Sequence, residues 1–461
     1  MSAPEPGCGS RTVDPEGDTI VARATPAGAG GIAVVRISGP LVPEIAKRMT
    51  GRVPAARRAT LCTLRDKDGQ MLDECIVLYF AAPHSFTGEE VLELHGHGGP
   101  VVVAGIVDAA VELGARLAEP GEFSKRAFLN DKLDLAQAEA IADLVASGSR
   151  QAARAALRSL SGAFSEAVDE LQEKLDRLRM HVEAAIDFPD EDIDFLSDSA
   201  LLARVADCSS AFMRLRSNTS VGRVLRDGYR VVIVGRPNAG KSSLMNRLSG
   251  QESAIVTEVA GTTRDIVREQ ITIEGLPVEL VDTAGLRDDP DRIEAEGIRR
   301  AREALMSADA ILWIQDASLP HERADRGVDE DLPEGTPVVI VRNKADLSGD
   351  VPGLLKREPP VVAIAATTGA GIDALRSEIR DLAGYRDLGE GAFTARQRHV
   401  DALERAWRHF DAGRTALRET QAGEIFAEEL KLSQQALSEI TGAHSSDDLL
   451  GRIFADFCIG K

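Results

Sequence analysis

The sequence has no run of about 18 apolar residues, the least that a helix crossing a membrane requires, so no segment is expected to span a bilayer. Its first stretch, "MSAPEPGCGSRTVDPEGD", lacks the basic start and apolar run of a signal peptide, and residues 1–17 read instead as a disordered extension. Cysteine is scarce. Cys8, Cys62, Cys75, Cys208 and Cys458 are odd in number, lie far apart and form no CxxC pair, which argues against a disulfide framework or a zinc site and fits a reducing, cytoplasmic setting. Positive charge is also short: 54 Lys and Arg against 74 Asp and Glu leave a formal net charge of -20. Such a chain does not coat nucleic acid through bulk electrostatics, although a local basic patch is compatible with it.

What is present reads as soluble, globular and multidomain. Hydrophobic residues make up 43% and charged residues 28% of 461 positions, and that length suggests about three domains. Residues 18–132 mix short apolar runs ("GIAVVRIS", "CIVLYFAAP", "EEVLELHGHGG") with a helical pattern, "PVVVAGIVDAAVELGA", which predicts an α/β or α+β domain of unread strand order. Residues 133–226 turn to Ala, Leu, Glu and Arg at helical spacing, and a second helical region covers 388–461. Amphipathic helices must bury their apolar stripes, so the two regions are expected to pack on each other as one discontinuous all-α domain. Between them, 227–387 alternates strands ("YRVVIVG", "VELVD", "AILWIQD", "PVVIVRNK", "VVAIAA") with helical patterns, the mark of a mainly parallel sheet inserted into the helical host.

The inserted segment carries the chemistry. "GRPNAGKSS" follows a strand and precedes a helix, and Gly235 to Ser242 match G-x-x-x-x-G-K-[ST]. Backbone N–H groups around Asn238, Ala239 and Gly240, with the helix N-terminus at Lys241, Ser242 and Ser243, would cradle phosphates. Lys241 would reach the outer phosphates and the Ser242 hydroxyl a Mg²⁺ ion. "GTTRD" then offers Thr262 and Thr263 as sensors of the last phosphate, with Thr263 beside Ser242 as the Mg²⁺ candidates. "VELVDTAGL" offers Asp282 behind the magnesium, then Thr283, Ala284 and Gly285 at the γ-phosphate. "VIVRNKAD" ends a strand in Asn343, Lys344 and Asp346. A carboxylate at 346 can accept from guanine N1–H and the 2-amino group, both absent from adenine, so the base is read as guanine.

Two features depart from common patterns. Leu286 stands where many signalling GTPases carry a glutamine that orients water, so another polar group must do so; the downstream acids of "RDDPDRIEAEG", Glu294 among them, are candidates, against a solvated helix face. The last guanine loop reads Ala365-Ala366 in place of Ser-Ala, which removes a hydroxyl and leaves backbone N–H groups to meet the base. Somewhat weaker base binding is expected.

From residue 18 to the end the chain closely resembles the MnmE (TrmE) family of tRNA modification GTPases. The resemblance rests on "ATPAGAGGIAVVRISG", "PGEFSKRAFLNDKLDLAQAEAIADL", "VEAAIDFPDEDIDF", "GRPNAGKSSLMN", "AGTTRDIVRE", "SDDLLGRIF" and "FCIGK". It implies an N-terminal tetrahydrofolate-binding domain that makes a homodimer, a helical domain in two segments, and an inserted Ras-like P-loop G domain. By motif position it implies folate contacts at Arg36, Glu93, Lys132 and Lys461; each would otherwise read as a surface ion pair. It further implies K⁺ held by Asn238 and by loop carbonyls of Thr257, Val259 and Thr262, and water oriented by Glu294. Its members work with an FAD-containing MnmG-type partner, as a heterotetramer, to place an aminomethyl or carboxymethylaminomethyl group on C5 of the wobble uridine of certain tRNAs. The one-carbon unit comes from 5,10-methylene- or 5-formyl-tetrahydrofolate.

Other readings stay on the table. A ribosome-assembly GTPase shares the P-loop style, and the Cys458-Ile459-Gly460-Lys461 tail suggests a prenylated switch, although Gly460 is not aliphatic and no basic run precedes it. Cys458 is read either as a thiol nucleophile in the one-carbon chemistry or as a buried structural cysteine. His95 and His97 read as a glycine-rich strand end and not as a metal site, and the acidic run 187–195 as a loop.

Overall fold

The computed structural model describes residues 17–187, 199–250, 268–282, 302–319, 332–333, 335–385, 392–443, 447–455, 457 and 459–460. The acidic run beyond Asp187 lies outside them. The chain forms two compact units, one of residues 1–142 with 441–461, the other of 143–440.

The first unit is built on a six-stranded sheet in the order β3-β4-β5-β2-β1-β6. Its strands are β1 (Ile20–Arg23), β2 (Gly30–Ser38), β3 (Thr60–Arg65), β4 (Met71–Phe80), β5 (Val91–Gly98) and β6 (Arg116–Leu117). Alternation along β2 and β5 sends Val35, Ile37, Leu92 and Leu94 to the buried face. There the helices Val42–Thr50 and Pro100–Glu112 cover them with Ile45, Met49, Val103 and Ile106. Truncating one of these to alanine costs about 2–5 kcal/mol.

Charge pins the edge of this core. Arg126, its side chain 5% exposed, bonds Glu122 at 2.9 Å, Asp18 at 2.6 Å and Glu89 at 3.1 Å, and Arg116 also holds Glu122. Burial pushes the Asp18 and Glu122 carboxyls up, but the hydrogen bonds and charges of Arg116 and Arg126 outweigh it and leave both below their ordinary values. A lowered folded pKa stabilises above the unfolded value, near 4, and that stability is lost as pH falls through the folded one. Thermal melts should therefore show a fall in Tm below about pH 4. Arg126→Ala, which leaves buried carboxylates without their cation, should cost about 3–5 kcal/mol at neutral pH. A variant as stable as wild type in urea titration would contradict this.

The chain's end closes on the same unit. Leu450, Ile453, Phe454 and Phe457 pack against Leu135 and Ala138, and Ile459 bridges to Pro120. Gly460 (φ 93°) lies so close to the Arg23 backbone that a Cβ would sit 2.2 Å from its carbonyl oxygen. Only glycine fits both conditions.

The second unit combines long helices with a seven-stranded sheet in the order β12-β13-β11-β10-β7-β9-β8. These strands are β7 (Tyr229–Gly235), β8 (Arg268–Ile273), β9 (Leu276–Asp282), β10 (Ala310–Asp316), β11 (Val338–Asn343), β12 (Gly353–Arg357) and β13 (Pro360–Ala363). The five central strands run parallel; β8 and β12, at the two edges, are antiparallel to their neighbours. Val231, Ile233, Leu280, Leu312 and Val341 share one core beneath helices Lys241–Ser249 and Ile372–Leu382. That core continues into Ala155, Val221, Val224 and Leu225 of the helical part.

The helical part draws on both sides of the insertion. Helix Ser199–Asp227 meets Gln397–Thr420 through Phe212, Trp407 and Phe410, and through a two-point Arg216–Glu404 pair at 2.7 Å. The chain is thus a multidomain α/β and all-α protein, with a discontinuous helical bundle and an inserted, mainly parallel P-loop domain.

Candidate active site

The P-loop fold follows from where its strand stops. β7 is apolar and buried, so it lies at the sheet's centre, paired with β9 and β10. Its end releases the loop 235–240 at the edge where β9 ends in Asp282 and β11 in Asn343. Ligand sites of such sheets lie at the C-terminal ends of the strands. Gly240 caps helix Lys241–Ser249 in the left-handed conformation (φ 99°), and a Cβ there would fall 2.1 Å from Asn343 Nδ2. The side chain at 240 is therefore excluded by a neighbour from another strand.

Asn343 joins the loops. Its Nδ2 donates to Ala239 O at 2.9 Å and its Oδ1 accepts from Ala366 N–H at 3.1 Å, so one buried amide links the P-loop to the Ala365-Ala366 loop. The Ala366 N–H expected to meet the base is thus engaged by Asn343. Lys344 turns the chain through φ 68° and donates to Asp316 Oδ2 at 2.5 Å. Burial raises the Asp316 carboxyl, yet the Lys344 bond and the Ser318 hydrogen bonds bring it below the aspartate range. Asp346 follows, exposed, on the short helix Ala345–Ser348, whose Ala345 N–H is tied to Ile364 O at 3.0 Å.

Lys241 is 7% exposed, and its ammonium donates to Gly235 O at 2.9 Å and Arg236 O at 3.0 Å, the carbonyls of its own loop. Asn238 (φ 64°), Ser242 and Ser243 face solvent, while Asp282 is buried. The structure therefore gathers Asn238, Ala239, Gly240, Lys241, Ser242, Ser243, Asp282, Asn343, Lys344 and Asp346 at one edge of one sheet. Thr257, Val259, Thr262, Thr263, Thr283, Ala284, Gly285, Glu294, Cys458 and Lys461 lie outside the described residues.

The first unit holds a second polar cluster. Antiparallel register sets Arg36 of β2 opposite Glu93 of β5, and Arg36 Nε and a terminal nitrogen bond Glu93 Oε1 at 2.9 and 2.8 Å. His95, on the same strand face, reaches Glu93 Oε2 at 3.2 Å. The guanidinium stands 5.4 Å from the Phe86 ring centroid and 5.7 Å from that of Phe123, within cation–π range. Lys132 donates to Pro83 O at 3.0 Å, so the loop carrying Pro83 and Phe86 touches both Arg36 and Lys132. The two phenylalanines were not singled out by sequence, and His95 was read only as part of a glycine-rich strand end. Period-two alternation would have put His95 on the face of Glu93, but nothing local marks the phenylalanines.

Known proteins resemble the chain along nearly its whole length. Residues 19–132 match the family described as the GTP-binding protein TrmE N-terminus, and residues 135–458 the MnmE helical domain. The tRNA modification GTPase MnmE of Alkalilimnicola ehrlichii is 55% identical over 444 residues, covering 96% of this chain and 99% of that protein. That of Pseudomonas syringae pv. tomato is 53% identical over 452 residues, with coverage of 96% and 99%. The Vibrio cholerae protein of the same name is 51% identical over 450 residues, again covering 96% and 99%. With a P-loop, an NKAD turn, family matches over residues 19–132 and 135–458 and relatives more than 50% identical along nearly the whole chain, the chain belongs to the MnmE family of tRNA modification GTPases.

Proposed function

We propose that the chain hydrolyses GTP to drive modification of tRNA: with an FAD-containing MnmG-type partner it adds an aminomethyl or carboxymethylaminomethyl group to C5 of the wobble uridine. The observation that carries the nucleotide half is Asn343, which ties the phosphate loop to the base loop beside Asp346. Lys241 neutralises outer-phosphate charge, and Asp346 selects guanine. Ser242, with Thr263, and the carboxylate of Asp282 are hard oxygen donors of the kind Mg²⁺ takes, and the ion screens phosphate charge when bound. Asn238 presents an exposed amide at the loop's outer bend, which suits a K⁺ ligand beside Thr257, Val259 and Thr262. Glu294 orients water.

The one-carbon half rests on the Arg36–Glu93 pair flanked by Phe86 and Phe123. A flat pterin needs aromatic walls and a carboxylate for its amino face, and a glutamate tail needs cations. Glu93 supplies the carboxylate, Arg36, Lys132 and Lys461 the cations. Gly460 docks on this same unit, and Cys458, two positions earlier in the sequence, serves as nucleophile or as packing. The reading divides the chain at residues 18–132, 133–226, 227–387 and 388–461, after an N-terminal extension over 1–17. It also makes the protein a cytoplasmic homodimer that forms a heterotetramer with its partner. No helix among the described residues is long and apolar enough to cross a membrane.

Phosphate release in KCl against NaCl tests the hydrolytic half. Turnover is expected to be higher in KCl, and Asn238→Ala should remove the difference while retaining GTP binding. Equal wild-type rates in both salts would sink the K⁺ assignment.

A further inference from the structure

The loop that follows β13 has to be held in place for a base to be read against it, and its own side chains contribute only two long bonds, both 3.4 Å, between the Thr368 hydroxyl and Ala365 O and Ala370 N–H. Ala365 and Ala366 are 1% and 4% exposed and carry only methyl groups. Local backbone bonds close the turn, from Ala365 N–H to Ala370 O at 2.9 Å and from Gly369 N–H to Ala365 O at 2.8 Å. The carbonyls of Ala366 and Thr367 point instead toward helix Lys241–Ser249, where Arg247 meets both. Its Nε donates to Ala366 O at 3.0 Å and a terminal nitrogen donates to Thr367 O. The guanidinium carbon also lies 3.7 Å from where a Cβ on Gly369 would stand.

An arginine in a helix's last turn is ordinarily read as a partner of the helix dipole. Here the end of the helix is already capped, by Gly250 N–H on Asn246 O at 3.0 Å. The planar fork of Arg247 is spent on another segment 119 residues away, a two-point bond that a lysine does not reproduce. Asn343 grips the same loop from the strand side through Ala366 N–H. The loop is thus clamped from two elements, and both clamps lead back to the phosphate loop. One comes through Ala239 and the other through the helix that Lys241 begins. A cleft of about 230 Å³ lined by Ser243, Asn246, Arg247, Gly250 and Ala366 lies between helix and loop.

We propose that Arg247 is a positioning residue for guanine recognition, holding the 365–369 loop through two carbonyls where the loop's alanines supply no hydroxyl. The inference rests on the GTP-binding reading. Arg247 acts on the base-recognition loop, so it governs how tightly a guanine nucleotide is held and leaves the affinity of a bare phosphate chain untouched.

Binding of GDP, ADP and inorganic tripolyphosphate to the full chain, measured by calorimetry, tests this. In Arg247→Ala the Kd for GDP should rise about tenfold, as two charge-assisted bonds are lost, while the Kd for tripolyphosphate stays unchanged. Arg247→Lys, with one ammonium for two carbonyls, should fall between wild type and Arg247→Ala for GDP and match wild type for tripolyphosphate. The proposal is overturned by an unchanged GDP affinity in both variants, or by a parallel loss of GDP and tripolyphosphate binding. Parallel loss is the signature of a helix or fold defect. A wild-type chain that does not prefer GDP to ADP overturns the nucleotide reading itself, and the inference with it.

Discussion

Asp346→Asn is expected to lower kcat/KM for GTP by on the order of 10⁴, because a site built to pair polar groups rejects a ligand that leaves them unpaired. The amide keeps one oxygen to accept from guanine N1–H but turns its NH2 donor toward the 2-amino group, where a carboxylate would accept from both. Xanthine carries an oxygen at that carbon, so XTP should become the better substrate of the variant. The position is fixed well enough for this exchange to matter. Lys344 at φ 68° sets the turn, and the Ala345 N–H to Ile364 O bond holds the start of the short helix on the sheet. Steady-state phosphate release with GTP, XTP and ATP reads the result. Undiminished GTP turnover would remove Asp346 from base selection.

Lys241→Ala should reduce GTP turnover by about 10²–10³, the loss typical of a preorganised charge that stabilises a transition state. The ammonium is held by two carbonyls of the loop it serves. That arrangement keeps a 7% exposed cation at the helix N-terminus. On the GTP-binding reading, an ammonium already held by its own loop would meet phosphate at little reorganisation cost. A single-turnover assay at saturating GTP separates loss of chemistry from loss of binding. Wild-type turnover in the variant would contradict the role.

Much of the second unit was legible because its strands are buried on both faces. "YRVVIVG" and "AILWIQD" are continuous apolar runs, and they are β7 and β10 residue for residue. The edge strands β8 and β12 were not read. β12, "GLLKR", is exposed over four of its five residues, so no burial pattern distinguishes it from a loop. In the first unit the strands β2, β4 and β5 were visible as runs, but their order was not. The Arg36–Glu93 pair depends on a register that joins positions 57 apart, and no turn between them fixes it. The phosphate site was readable because its residues are consecutive and each type answers a local demand. Arg247 was not, since a lone arginine in a helical pattern looks like a solvated side chain until its carbonyl partners, 119 and 120 residues on, are brought beside it.

Whether GTP turnover at this P-loop serves tRNA modification is read from the nucleoside composition of tRNA. The chain would be expressed in a bacterium lacking its own MnmE-type protein, and tRNA hydrolysates analysed by mass spectrometry. Wild-type chain should restore C5-substituted wobble uridine, and Lys241→Ala, expressed at the same level, should not. Unmodified uridine in cells making wild-type chain that hydrolyses GTP when purified would contradict it.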